Sequence, residues 1–255
     1  MKDLIKVALI SGGLLCSGSV FAGFSLDEIM QKYYPSYDSN EDCRTYSRMN
    51  KYDNGNQEEY IYCVNFSSEK KVNINGDEYL YVATSGYNMN SSAGWADALA
   101  GMFVLKSDGN GWIVKSAKPY ISAGVNGESI QQWSFHEFAP NIYGFLGNHG
   151  YGMNGGTSLE SFVILTPNGK TIIDNDIGSF LNTEATMSCG KKCDDARATI
   201  RIDKSKVVNG FYPLVSTVNG RVNGKMYKNQ EYRINYEANK GYIMPKNYPF
   251  NNLRF

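Results

Sequence analysis

Histidine is almost missing from this chain: among 255 residues only His136 and His149 carry an imidazole. Chemistry built on a histidine base therefore has two places to reside, and each needs an orienting carboxylate and a nucleophile. No Gly-x-Ser-x-Gly elbow follows residue 22, which excludes that serine-nucleophile signature. Charge of one sign is missing too. The 25 Lys and Arg balance 25 Asp and Glu, so no basic excess exists to neutralise phosphates, and nucleic acid is not an expected partner. No block of like charge points to a membrane surface. Alanine and leucine are sparse beside 19 Tyr and 26 Gly, a balance that suits strands and turns better than helices.

No long hydrophobic run exists after the N-terminus, and the one at the N-terminus is short. Lys2 and Lys6 precede an apolar stretch from Val7 to Leu15, and Val20-Phe21-Ala22 is a small-residue end of the A-x-A type. That is the anatomy of a secretory signal peptide, residues 1–22, removed after Ala22. The stretch is well under the ~20 residues of a membrane-spanning helix. Leu15 is too bulky for the residue before a lipidated cysteine at Cys16. The sequence thus predicts a periplasmic or secreted protein with no membrane span. Residues 23–255 read as a single domain, ample for a hydrophobic core. The final "NNLRF" ends in Phe as outer-membrane barrels often do, but Pro249 and Asn251-Asn252 interrupt any barrel-type alternation.

Four cysteines follow the leader: Cys43, Cys63, Cys189 and Cys193. An even count in an exported chain points to disulfides. Of the three possible pairings, Cys43–Cys63 with Cys189–Cys193 is preferred, because Cys63 lies in a strand pattern that a partner upstream could brace. A thioredoxin-type pair has two intervening residues where "CGKKC" has three, and no histidine lies near enough to complete a zinc site. No metal and no cofactor are expected.

Ser25 and Glu28 form a capping box, and Leu26, Ile29, Met30 and Tyr33 share one face of a short helix ended by Pro35. From residue 58 the period becomes two. Tyr60, Tyr62, Val64 and Phe66 alternate with Ile61, Cys63 and Asn65, and "NING" joins this run to "YLYVATSGY" as a hairpin over residues 58–84. Ser107-Asp108-Gly109-Asn110-Gly111 and Pro167-Asn168-Gly169 supply two further reversals. "ARATIRID" and "EYRINYE" alternate in the same way. The segment 91–101 breaks the pattern and is expected to hold one helical turn. These readings predict a mainly β fold of antiparallel sheets packed as a sandwich, with a short N-terminal helix. A degenerate β-propeller is the second choice.

The densest glycine cluster is "YGFLGNHGYGMNGG", residues 143–156. Its bland reading is turns or bulges within a sheet. Its functional reading is an aromatic-bearing loop that lets a partner approach the backbone, with Tyr143, Phe145, His149 and Tyr151 as candidate binding residues. It is not a phosphate cradle, because the glycines lead into the strand-like Phe162-Val163-Ile164-Leu165. His149 on such a loop has better access than His136, which alternation places on the exposed face opposite Trp133 and Phe135. Glu137, Glu160 and Asp174 are its nearest carboxylates in sequence, and Ser158 the serine to test beside it. Trp95, outside a clear strand, is a further binding candidate. Asp77-Glu78, Glu58-Glu59, Asp174/Asp176 and Asp194-Asp195 are the carboxylate pairs a glycosidase could use.

No convincing catalytic constellation emerges. The expectation is an exported, non-catalytic binding protein whose partner is a protein or glycan of the cell envelope. Its sharpest form is an inhibitor or immunity factor against a cell-envelope-degrading enzyme. The alternative is a polysaccharide or peptidoglycan hydrolase using paired carboxylates or His149.

Overall fold

The computed structural model describes residues 23–51, 57–90, 96–124, 126–154, 156–184, 189 and 193–251, with backbone alone for 51 and 151–154. The expected leader and Trp95 lie outside the described residues. Among the described residues one helix, α1 (Leu26–Tyr33), precedes fourteen strands. It starts as the capping box requires: the Glu28 amide donates to Ser25 Oγ at 3.2 Å, and the Ser25 amide to Glu28 Oε2 at 2.7 Å.

The strands form two antiparallel sheets, and in each every strand pairs with its neighbour in sequence. The first holds β1 (Ser36–Asp38), β2 (Cys43–Lys51), β3 (Gln57–Ile74), β4 (Asp77–Asn88), β5 (Leu99–Ser107) and β6 (Trp112–Ser122). The second holds β7 (Trp133–Ala139), β8 (Ile142–Asn154), β9 (Thr157–Asn168), β10 (Thr171–Asn182), β11 (Asp195–Ile202), β12 (Leu214–Val222), β13 (Lys225–Glu237) and β14 (Gly241–Ile243). Sheets of six and eight strands replace the four-stranded blades a propeller would have. The reversal between β3 and β4 shows the turn chemistry at work. Asn75 and Gly76 both take positive φ, 53° and 88°, the conformation of the two-residue turn that matches strand twist.

Both sheets curl. The Tyr46 and Tyr120 rings stack at 4.1 Å although β3, β4 and β5 separate their strands; in a flat sheet those strands would stand about 19 Å apart. Likewise Phe138 of β7 meets Tyr242 of β14, at the opposite edge of the second sheet, at 6.1 Å. Curling divides the apolar side chains into three cores. One lies inside the first sheet, where Ile29 and Met30 of α1 join Tyr60, Tyr62, Leu80 and Phe103. A second lies inside the curl of the second sheet, around Phe138, Ile164, Ile177, Leu214, Ile234 and Tyr242. The third joins the two sheets, through Tyr81, Ala100 and Met102 on one side and Trp133, Phe145, Val163 and Leu165 on the other.

Cys43 bonds Cys63 across β2 and β3, and Cys189 bonds Cys193, the preferred pairings. One local expectation changes. Phe66 does not continue the buried face, because a bulge between Phe66 and Ser68 shifts the register and leaves it 43% exposed. Within 91–101, residues 91–95 lie outside the described residues, 96–98 are irregular and β5 begins at Leu99, so no helical turn is described there.

Candidate functional site

The glycine cluster is a strand, not a loop. Residues 142–154 form β8, flanked by β7 and β9. Its glycines serve close packing. A Cβ on Gly147 would stand 2.7 Å from Ile130 Cγ2 and 2.9 Å from the Trp133 ring, and one on Gly144 would strike the Leu165 carbonyl. Gly156, with φ of 86°, makes the reversal into β9.

Strand alternation then decides where the expected binding residues go. Tyr143, Phe145, Gly147 and His149 share the face turned toward the first sheet. Phe145 is fully enclosed, in ring contact with Trp133 and Phe135, and Tyr143 stacks on Phe135 at 5.4 Å. Tyr151 pairs with Leu159 through the backbone; its side chain, like Trp95, lies outside the described residues.

His149 is 7% exposed. Gly124 donates its amide to Nδ1 at 2.9 Å, and Asp176 Oδ1 lies 3.3 Å from Nε2. An amide donor at Nδ1 fixes the tautomer: the proton sits on Nε2 and points at the Asp176 carboxylate. The sequence offers Asp176 as one of a carboxylate pair; the structure makes it the partner of His149. It reaches the ring because Asp176 opposes Val163 in β10–β9 and Val163 opposes Gly147 in β9–β8, two residues from His149. Ser161, directly opposite His149, is the nearest serine in register; Ser158 pairs with Asn182, farther along the ladder.

The imidazole thereby pins the connection between β6 and β7 onto β8. That connection is stitched to the first sheet as well. Ala123 donates to the Ala98 carbonyl at 3.0 Å, Gly127 to Ala96 at 2.8 Å, Ser129 Oγ to Leu99 at 3.0 Å, and Ser85 Oγ to the Ile130 carbonyl at 2.7 Å. Trp133 is held at its start by a 3.2 Å bond from Nε1 to Ser85 Oγ.

Between this connection and β8 opens a cleft of about 580 Å³, within the size range of ligand sites. Trp133 and Gly147 line its base, with Leu146 and Phe162 on the apolar side. Exposed Glu128, Gln131, Gln132, Ser134 and Asn148 supply polar groups. Among the described residues no Lys or Arg lines it, and three carboxylates stand at or beside it: Glu128 in the lining, Asp176 on the His149 ring, and Glu160 accepting from Asn148 Nδ2 at 3.0 Å. None of the amide residues carried a sequence signal, because exposed Gln and Asn near a strand end are ordinary.

His136 is half-buried rather than exposed. It lines a smaller cavity of about 370 Å³ with Phe138, Leu146 and Ile164, and burial together with nearby Lys204 holds its pKa below the usual histidine value. Four of the candidate carboxylates have structural partners. Asp77 holds Lys106 at 2.7 Å, Glu78 holds Lys71 at 3.0 Å, and Asp174 pairs with Lys118. Asp194 accepts the amides of Asn223 and Gly224 at 2.8 and 3.1 Å. Among the described residues no group of three or more His, Cys, Asp or Glu could hold a metal ion, and no helix is long and apolar enough to cross a membrane. No protein-family model, curated protein or solved structure matches the chain.

Proposed function

We propose that this is an exported binding protein of the cell envelope, periplasmic or secreted, that works by contact through the cleft between β8 and the β6–β7 connection. The observation that carries this reading is the state of His149. A general base needs a nitrogen lone pair directed at a substrate proton; the Nδ1 lone pair of His149 accepts the Gly124 amide, and Nε2–H faces Asp176. The ring is part of the wall. A carboxylate-pair mechanism needs two acids across a scissile bond; Glu128 is the one carboxylate among the described lining residues, and Asp176 and Glu160 beside it are hydrogen-bonded to His149 and Asn148. Two disulfides suit an oxidising compartment.

An inhibitor or immunity factor is the sharpest form of the proposal, with a loop of an envelope-degrading enzyme as the element seated in the cleft. The test is capture from envelope extracts by the mature protein and by a Gln131→Ala/Gln132→Ala/Asn148→Ala triple variant. Three exposed hydrogen-bonding groups at roughly 1 kcal/mol each predict about a hundredfold weaker capture, with the fold retained and a melting temperature lowered only by what buried Ser179 loses with its Asn148 acceptor. Equal capture by both proteins removes the cleft from the reading. Peptidoglycan turnover by the wild type that disappears in Glu128→Gln would make the protein a hydrolase instead.

A further inference from the structure

β8 is longer than the strand beside it. Its pairing with β7 ends at Gly147 opposite Trp133, whereas on its other side it pairs with β9 as far as Asn154 opposite Thr157. Past Gly147 the chain upstream of β7 leaves the sheet, carrying Ile130 beneath the strand against Gly147. The cleft is therefore a notch in the sheet edge, with Gly147–Gly150 along it.

Ser134 Oγ donates to the Leu146 carbonyl at 2.9 Å from across the β7–β8 pair, so the backbone groups of Leu146 point toward β7. Antiparallel alternation puts those of Asn148 and Gly150 on the same side, where among the described residues no strand runs beside them. Such an edge is a template for another strand. Gly150, beyond the last β7 pair, places no side chain beside that edge. Among the described residues the lining holds Glu128 and neither Lys nor Arg, and Asp176 and Glu160 hold its His149 and Asn148 side chains.

We infer that the β8 edge at Asn148 and Gly150 accepts an extended peptide segment of the partner protein as an added strand, and that these acids select a segment carrying Lys or Arg. This rests on the cleft being the recognition site, and it names what occupies it. Main-chain pairing supplies affinity and the acidic rim supplies preference.

The experiment follows the backbone amides of the mature protein by NMR. The probes are a heptapeptide pool with Lys at alternate positions and Thr, Val or Ile between, the same pool with Glu for Lys, an N-methylated version of the Lys pool, and a chitooligosaccharide. The Lys pool should shift the Asn148 and Gly150 amides and slow their hydrogen exchange. N-methylation, which removes the pairing donors, should weaken binding by roughly thirtyfold if two backbone bonds are lost. Glu128→Gln, at an exposed position, should weaken the Lys pool by about three- to fivefold and leave the fold intact. Equal binding of the N-methylated or the Glu pool overturns the inference. So do amides at 148 and 150 already as protected in the free protein as that of Leu146, or protection that appears with protein concentration alone, which would make a second copy the occupant. Cleft shifts with the saccharide alone overturn the peptide inference but leave the cleft as a site. No shift in any cleft residue with any probe overturns both.

Discussion

Gly124 holds the cleft's wall at the scale of a single residue. Its φ is +106°, and a Cβ there would collide with the Glu128 carbonyl and come within 2.9 Å of Ala98 Cβ. Gly124→Ala therefore meets both backbone strain and a clash, and should cost about 2–4 kcal/mol in urea unfolding. Its amide is the donor to His149, so the neighbouring substitution isolates a different quantity. His149→Ala leaves that amide without its acceptor and removes a ring from a 7%-exposed position. A loss of roughly 1–3 kcal/mol is expected with the fold retained. Asp203 offers a third single-residue test. The Ser205 hydroxyl, Arg233 Nη2 at 2.7 Å and the Ser205 amide hold its carboxyl down to about 2. A carboxyl lowered in the fold stabilises it above the ordinary value of about 4 and loses that contribution as pH falls toward 2. Asp203→Asn should flatten the acid limb of the stability profile across that window and leave its slope near neutrality unchanged.

Among elements, the two disulfides differ in what they close. Cys43 and Cys63, each 1% exposed, tie β2 to β3 across a sequence separation of 20, whereas Cys189 and Cys193 are four apart. Loop-closure entropy gives about 3 kcal/mol for the longer loop and about 2 for the shorter. Replacing Cys43 and Cys63 by Ala should also open a cavity in the first sheet, so that variant should melt well below the Cys189→Ala/Cys193→Ala protein in calorimetry. Elements with local chemistry were legible in the sequence: the capping box of α1, the Asn75-Gly76 turn, the period-two runs of β3 and β11. β8 was not. Glycines at 144, 147, 150 and 152 erase the polar–apolar alternation that marks a strand, and the same erasure made His149 look loop-borne. Its partner Asp176 lies two ladders away, at a distance set by the β8–β9 and β9–β10 registers that no local pattern encodes. The curl of each sheet was equally hidden, because it follows from which distant strands meet.

The whole molecule is two meanders that share one core. Each sheet pairs only neighbours in sequence and closes over its own interior, so most of its strand pairing is local and could form without the other sheet. What couples them is the intersheet cluster around Tyr81, Met102, Trp133, Phe145 and Val163, together with the β6–β7 connection stitched to both. Phe145 is the wholly enclosed aromatic of that cluster on the second sheet. Phe145→Ala should cost about 3–5 kcal/mol and weaken coupling as well as stability, so that unfolding splits into two transitions. Phe103→Ala, a comparable loss inside the first sheet, should lower stability and leave the transition single while the intersheet core is intact. Hydrogen exchange at increasing urea distinguishes them, with amides of β3–β5 and of β9–β12 parting company in the first variant only. If they stay coincident in Phe145→Ala, cooperativity travels through the connection. The cleft, built on that connection, would then be the joint on which the two sheets depend.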